Sequence, residues 1–335
     1  MAKIGIIGAG GWALGIAILL DHNGHEVTVW SKIQAEIDSI KATRENERSL
    51  PGVKIPESIA LTNDLEMLSK DNELLVMAVA SPYVRSVAHE IAEFNISGLK
   101  IINVAKGIEE QSLMTMTEII TDEIKDAEVA VLSGPSHAEE VGRLLPTTCV
   151  IGAESAEFAE YLHQIFLGDF FRVYINPDVK GIELGGSLKN VIALAAGIAD
   201  GLGYGDNTKA ALITRGIHEI SRLGEAMGCN VKTFYGLSGI GDLIVTCASM
   251  HSRNRRAGIL MGQGKTMNEA MEEVHMVVEG VYSAKAAKLL CEKYNVEMPI
   301  VEGVNMILFD NIPAKEAARI LLERNSKVEH LDMAW

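Results

Sequence analysis

The chain has 335 residues, too many for one ordinary core, and its 48% hydrophobic content is enough to fill two. A formal net charge of −15 excludes a general affinity for nucleic acid or anionic membranes, so any anionic ligand must meet a local basic pocket. The four cysteines, Cys149, Cys229, Cys247 and Cys291, are far apart and form no C-x-x-C pair, which indicates neither a zinc site nor a disulfide framework and suits a reducing cytoplasm.

The first predicted element is a strand that runs into closely spaced glycines, IGIIGAGGWA from Ile4 to Ala13. Gly8, Gly10 and Ala13 fill the three small positions of the dinucleotide fingerprint: a tight turn, a backbone that a pyrophosphate can approach, and close packing of the next helix on its strand. The helix start adds free N–H groups and partial positive charge for phosphates. Ile4 to Leu20 after Lys3 is also apolar enough for a signal or anchor segment. Five glycines in that window, polar residues Asp21 to Asn23 and no small-x-small cleavage pattern favour the nucleotide reading. Glu26 to Trp30 returns as a second strand and completes a strand, helix, strand unit. His22 and His25 read as surface histidines at the helix end, and no metal site is expected.

Further short apolar runs follow at Leu74 to Ala80, Lys100 to Ala105 and Glu128 to Ser133, with helical stretches between them. Cys149 to Gly152 and Phe170 to Tyr174 add two more strands. The alternation predicts an α/β N-terminal domain, a doubly wound, Rossmann-like and mostly parallel sheet over residues 1–178, with ligands beyond the carboxyl ends of the strands. From Val179 onward apolar residues recur at spacings of three and four, as in Glu279 to Tyr294 and Ala314 to Glu323. Residues 179–335 therefore read as an all-α substrate-binding domain, packed directly on the first without a long linker, and the cleft between them is the expected site.

Four clusters carry chemistry. Lys189 lies in an apolar helical run, Gly185 to Ala199. Its ammonium is either desolvated, with a pKa lowered toward neutrality, or carried to solvent on a stem that covers the helix. Asn190 beside it suits a substrate oxygen or the helix alone. Asp242 follows the glycine pair of SGIGDL and is either a functional carboxylate or a helix N-cap. Ser252, Arg253 and Asn254 suit a phosphate, through a bidentate guanidinium with neutral donors beside it, or form a solvated charged helix start. At the strand ends, Gly134 and Ser136 offer backbone and hydroxyl donors, and Lys106 with Gly107 occupies a similar place. Turn chemistry accounts for Gly134-Pro135 but not for Lys106.

Together GAGGWA, KGIE at 106 to 109, SGPSHAEE at 133 to 140, ELGGSLKNVIALAAGIADGL at 183 to 202, LSGIGDLIVTC at 237 to 247 and SRN at 252 to 254 closely resemble the bacterial NAD(P)-dependent glycerol-3-phosphate dehydrogenases. The blocks run in family order from about residue 3 to about residue 324. Related hydroxyisobutyrate and phosphogluconate dehydrogenases share the fingerprint and a catalytic lysine but lack this set. The resemblance implies reversible hydride transfer between the nicotinamide and C2 of the substrate, interconverting dihydroxyacetone phosphate and sn-glycerol 3-phosphate for phospholipid synthesis, by a homodimer. It implies Lys189 as proton acceptor in oxidation and donor in reduction. It places Lys106, Gly134, Ser136, Asp242, Ser252, Arg253 and Asn254 around the substrate, and Gly11, Trp12, Lys32, Lys106, Ala138, Arg253, Val277 and Glu279 on the cofactor, beside Gly8 and Gly10. Trp30, Ser31 and Lys32 end the second strand without an acid, which favours NADPH over NADH. A hydroxy-acid dehydrogenase would show a carboxylate-binding Gly-Ser loop in place of SRN, and a nucleotide sensor without turnover would lack Lys189, Asp242 and Arg253. Three departures from the family stand out: Ser49 in NERSLPG where a tyrosine is common, Ala13 as the third small residue, and Arg324 to Ser326 at the expected surface end.

Overall fold

The computed structural model describes residues 1–325 and Glu329. The predicted alternation builds one sheet of eight strands: β1 (Lys3–Ile7), β2 (Glu26–Trp30), β3 (Ala60–Thr62), β4 (Leu74–Met77), β5 (Lys100–Asn103), β6 (Glu128–Ser133), β7 (Thr147–Ala153) and β8 (Phe171–Asn176). Their order is β3-β2-β1-β4-β5-β6-β7-β8. Strands β1 to β6 are parallel, β7 is antiparallel to β6, and β8 is parallel to β7. Ile4, Ile6 and Ile7 of β1 and all of β4 are buried, as strands covered on both faces must be. Helices Gly11–His22 and Ala156–Phe166 cover one face, and Leu65–Asp71, Val84–Glu93 and Met116–Glu123 the other.

Register places the site. Ile7 pairs with Trp30 and Met77, Met77 with Asn103, and Asn103 with Val131, so the carboxyl ends of five strands lie level. The chain leaves β1 toward β2 and later returns to β4 on its other side, which opens a crevice above Gly8.

Several boundaries differ from expectation, each for a local reason. Strand β4 stops at Met77 because Ala78 to Ala80 leads into a 3-10 turn, Ser81–Tyr83, that contains Pro82. Strand β5 stops at Asn103 because that side chain binds both backbone groups of Ala105, each at 3.0 Å, and bends the chain away. The three-residue edge strand β3 and the reversal at β7 are additions to the expected sheet. His22 is exposed at its helix end, but His25 is not a free surface residue. Its ring accepts from Ala2 N and donates to the Ile165 carbonyl, both at 3.2 Å, and burial lowers its pKa.

In the second half the helix Val179–Gly201 is surrounded by Asp206–Ala226, Asp242–Ala248, Arg253–Gly262 and Glu279–Tyr294. By length and composition it could cross a membrane, yet its apolar window is wholly buried among these neighbours. Two glycine pairs let helices Val179–Gly201 and Arg253–Gly262 touch backbone to backbone. A Cβ on Gly197 or Gly201 would fall 2.1 or 2.2 Å from the carbonyl of Arg255 or Ile259, and one on Gly258 or Gly262 would fall 2.3 Å from that of Leu194 or Ile198. This contact holds the SRN cluster beside the helix of Lys189. Ser326 of the Arg324 to Ser326 departure lies outside the described residues, as does the remainder of the expected second domain except Glu329.

Candidate active site

The glycine turn is built as the fingerprint requires. Gly8 has φ +123°, its N–H bonds the Trp30 carbonyl at 2.9 Å, and a Cβ there would strike the Ala78 carbonyl at 2.9 Å. Gly10 caps the helix Gly11–His22, and a Cβ on it would meet nothing within 4 Å, so the space over the turn is open. The N–H groups of a first helical turn have no partner within the helix and suit a pyrophosphate in that space. The Asn46 to Gly52 loop closes over the turn despite Ser49. Asn46 donates to the Ala9 carbonyl at 3.1 Å, and a side chain at Gly11 would collide with Ser49 O at 2.2 Å. Ala138 reaches the same place, packing on Gly15.

The end of β2 adds one neighbour that the strand itself does not carry. The sequence shows no acid there, but the fold brings Glu36 back from the next helix. Ser31 Oγ donates to it at 2.6 Å, and Asn46 Nδ2 donates at 3.3 Å. Lys32 is 74% exposed and pairs with Glu90 at 3.2 Å, a contact weak enough to yield to a ligand.

At the other end of the crevice the expected residues converge. Lys189 is 6% exposed, which settles its alternatives in favour of a desolvated ammonium. Its Nζ donates to Asp242 Oδ1 and Thr246 Oγ1, each at 2.7 Å. Asp242 Oδ2 accepts from Lys106 Nζ at 2.6 Å, and Lys106 also donates to the Gly134 carbonyl at 3.2 Å. Ser136 Oγ donates to that carbonyl at 2.9 Å. Gly241 is the N-cap of helix Asp242–Ala248, so the Asp242 carboxylate is free of the capping role and faces two lysines. Burial lowers the Lys189 pKa to about 8, against the pull of Asp242 and with the push of Lys106. Burial also opposes charge on Lys106, but Asp242 outweighs it and the net direction is upward. The two ammoniums hold the Asp242 carboxyl below its ordinary value despite burial. Cys149 beneath is no nucleophile, since burial pushes its thiol up to about 12.

The SRN cluster lies alongside. Ser252 caps its helix by accepting from Arg255 N at 3.2 Å, which leaves its O–H hydrogen available to donate. Asn254 is a joint between helices: it donates to Asn190 Oδ1 at 2.9 Å and accepts from Gly280 N at 2.8 Å. Asn190 in turn donates to Glu279 at 3.4 Å, whose carboxyl burial pushes up. Among the described residues the half-buried Arg253 guanidinium makes no hydrogen bond or ion pair. Its charge favours ionisation of the Glu279 carboxyl. Val277 stands two residues before helix Glu279–Tyr294, and Arg48 of the NERSLPG loop reaches across to nearby His275 O at 3.3 Å. Lys32 and Gly8 to Trp12 make no contact with the lysine pair and mark the far end of the crevice.

Sequence reading missed Thr246, although it stands four residues after Asp242 on one helix face, and gave no role to His137 of SGPSHAEE. Trp12 Nε1, Ser49 Oγ, Ser133 Oγ and His137 Nε2 are buried without partners. These orphaned atoms, the open face over Gly10 and the basic groups fit a long polar ligand with phosphates, as a nicotinamide dinucleotide is. No candidate residue lines the 770 Å³ cavity in the helical half, which is walled by Leu202, Leu212, Val304, Ile307 and Leu321 with Glu219 among them. Among the described residues no cluster of His, Cys, Asp and Glu could hold a metal ion.

Comparison with known proteins agrees with this geometry. The profiles for the N-terminus and C-terminus of NAD-dependent glycerol-3-phosphate dehydrogenase match residues 3–159 and 178–319. The chain is 58% identical to a glycerol-3-phosphate dehydrogenase (NAD(P)+) of Agathobacter rectalis over 335 residues, all of both proteins. It is 57% identical to a protein of the same name from Fusobacterium nucleatum, over 98% of this chain and 99% of that one. The crystal structure of glycerol-3-phosphate dehydrogenase from Coxiella burnetii superposes with a TM-score of 0.93 at 35% identity, covering 96% of this chain and 99% of that one. The chain belongs to the NAD-dependent glycerol-3-phosphate dehydrogenase family.

Proposed function

We propose that the protein reduces dihydroxyacetone phosphate to sn-glycerol 3-phosphate, reversibly, with residues 1–178 carrying the nicotinamide cofactor and residues 179–335 the substrate. The observation that carries this reading is the buried Lys189, Asp242, Lys106 group, in which Lys106 follows the carboxyl end of β5 in the sheet whose β1 runs into the glycine turn. A bound reduced nicotinamide supplies hydride to C2. Negative charge then grows on the carbonyl oxygen, and a positioned acid stabilises and protonates it. Lys189 has three N–H donors, of which Asp242 and Thr246 take two. The third is left for the substrate oxygen. With a pKa of about 8, the amine holds its proton loosely enough to donate in reduction and accept in oxidation near neutral pH.

Arg253 and the Ser252 hydroxyl form the phosphate end, and Gly134, Ser136 and Asn254 complete the substrate pocket. Binding energy from the phosphate, remote from the reacting bond, fixes C2 for attack. Gly8, Gly10, Gly11, Trp12, Lys32, Lys106, Ala138, Arg253, Val277 and Glu279 hold the cofactor. Lys32 favours NADPH, and Glu36 close by keeps NADH a working though poorer substitute. The reading extends to a cytoplasmic homodimer that supplies glycerol phosphate for phospholipid synthesis; four free, buried cysteines support the reducing location. The test is oxidation of NADPH and NADH followed by absorbance with dihydroxyacetone phosphate, for wild type and Lys189→Ala. Turnover should fall ~100-fold or more in the variant. Near-normal turnover by folded Lys189→Ala would remove Lys189 from the chemistry, and no substrate-dependent oxidation by wild type would overturn the function.

A further inference from the structure

Glu183 stands six residues before Lys189 on the same helix, is 5% exposed, and belongs to none of the contacts described above. Its Oε1 accepts from Asn103 Nδ2 at 3.1 Å and from Thr117 N at 2.9 Å, and its Oε2 accepts from Thr117 Oγ1 at 2.5 Å. A carboxylate buried between two halves of a molecule is costly unless it is fully hydrogen-bonded. Here every bond runs from the helical half to the carboxyl end of β5 and the helix behind it.

Those bonds lead to the lysine pair. Asn103, itself fully buried, grips both backbone groups of Ala105, the residue before Lys106. One turn further along the same helix, Ser187 Oγ donates to the Gly107 carbonyl at 3.1 Å, on the other side of Lys106. Between these two holds Gly186 faces the Lys106 stem, whose carbons would stand in van der Waals contact with a Cβ there at 3.7 Å, while Ser133 Oγ would stand at 2.8 Å. Glu183, Gly186, Ser187 and Asn190 repeat at spacings of three and four and so share one face. That face presents the Lys106 loop to Asp242.

We propose that Glu183 is a positioning residue which, through Asn103 and the backbone of Ala105 to Gly107, sets how closely Lys106 approaches Asp242 and thereby how readily Lys189 releases its proton. This rests on Lys189 being the proton donor of the reaction proposed above. The groups that bear on Lys189 are Asp242, Lys106, Glu279, the imidazole of His137 and the Cys247 thiol. Glu118, paired with Lys180 at 2.7 Å, faces Glu183 itself. The sign of the effect separates the relay from direct electrostatics. Deleting a negative charge lowers the proton affinity of a nearby amine. Letting Lys106 draw back from Asp242 removes a neighbouring positive charge and frees the carboxylate for Lys189, which raises it.

The test is a pH titration of the protein labelled with carbon-13 at lysine Cε and read by NMR, with the Lys189 signal assigned by its loss in Lys189→Met. Glu183→Gln keeps the shape and one accepting oxygen. Its Lys189 midpoint should move upward by about half a unit or more. Ser187→Ala, which loosens the second hold without touching the carboxylate, should move it the same way, and serves if Glu183→Gln does not fold. Asn103→Ala combined with Glu183→Gln should add little to either alone, since both act on one path. A midpoint that stays put or moves down in folded variants overturns the positioning role. The alkaline limb of dihydroxyacetone phosphate reduction should follow the NMR midpoint. Absence of that turnover in wild type would sink the proposed function while the titration still decides the role of Glu183.

Discussion

Asp242→Asn removes charge at the centre of the site while keeping shape. The carboxylate, 1% exposed, holds Lys189 at 2.7 Å and Lys106 at 2.6 Å. Two unit charges about 4 Å apart interact by ~4 kcal/mol at an effective dielectric of about 20, equivalent to about three pKa units. The Asn oxygen still accepts one hydrogen bond, so the loss of proton affinity at Lys189 should be roughly two to three units. From about 8, Lys189 would then titrate near roughly 5.5. At about pH 7.5 its protonated share drops from roughly three-quarters to about one part in a hundred, which slows reduction ~50- to 100-fold. The decisive assay is initial rate against pH in both directions. Reduction should recover toward about pH 5.5, and oxidation, which needs the neutral amine, should persist to lower pH than in wild type. Removing one partner of a buried ion pair costs ~3–5 kcal/mol, so thermal melts must show the variant folded at each pH. A folded Asp242→Asn enzyme whose reduction profile keeps its wild-type midpoint refutes the coupling between the carboxylate and Lys189.

Arg253→Ala should raise the KM for dihydroxyacetone phosphate by about 30- to 150-fold, the scale of a charge-assisted hydrogen bond of ~2–3 kcal/mol. At saturating cofactor unphosphorylated dihydroxyacetone should be turned over no worse than before, and equal losses on both would take the guanidinium off the phosphate. Glu36→Gln should tighten NADPH relative to NADH by ~2- to 5-fold, as expected for a partly solvated charge; calorimetric binding of the two cofactors giving an unchanged ratio would place Glu36 away from the ribose. Glu219, 4% exposed with Ile300 N donating to both its oxygens at 3.0 and 3.1 Å, has its carboxyl pushed by burial from 4.5 up to about 7. The native state keeps a proton that the unfolded chain releases between those values, so stability falls as pH rises through that window, by ~3 kcal/mol in full. Glu219→Gln should therefore raise the urea-unfolding free energy by ~1–3 kcal/mol at about pH 8 and hardly at about pH 5; an equal gain at both would show that ionisation is not the cause.

What the sequence disclosed was whatever neighbouring residues specify together. The turn at Gly8 to Ala13 needs small residues at fixed offsets, and the strands around it are buried on both faces, so both appear as local pattern. Lys189 stood out because a charge inside an apolar helix is costly wherever the chain folds. Asp242 and Lys106 stood out singly, but that they pair with this charge and each other did not, since Asp242 lies 53 residues from Lys189 and 136 from Lys106, and no periodicity spans such a gap. Glu36 escaped notice for a related reason: it stands in the helix that follows β2, and only its bond from Ser31 brings it to the strand end. Strand β3 has only three residues at a sheet edge, too few to alternate. The glycines of Val179–Gly201 and Arg253–Gly262 fall between these cases. Each pair is visible as small residues four apart, but only the crossing of the two helices gives the spacing its use, which is to lay helix Arg253–Gly262 backbone to backbone against the helix of Lys189. The helix of Lys189 thus meets helix Arg253–Gly262 through its C-terminal glycines and the Lys106 loop through Ser187. On the proposed reading a single rigid element would hold both ends of the three-carbon substrate in register, and substitutions that tilt it should impair orientation at C2 before they impair binding of either end.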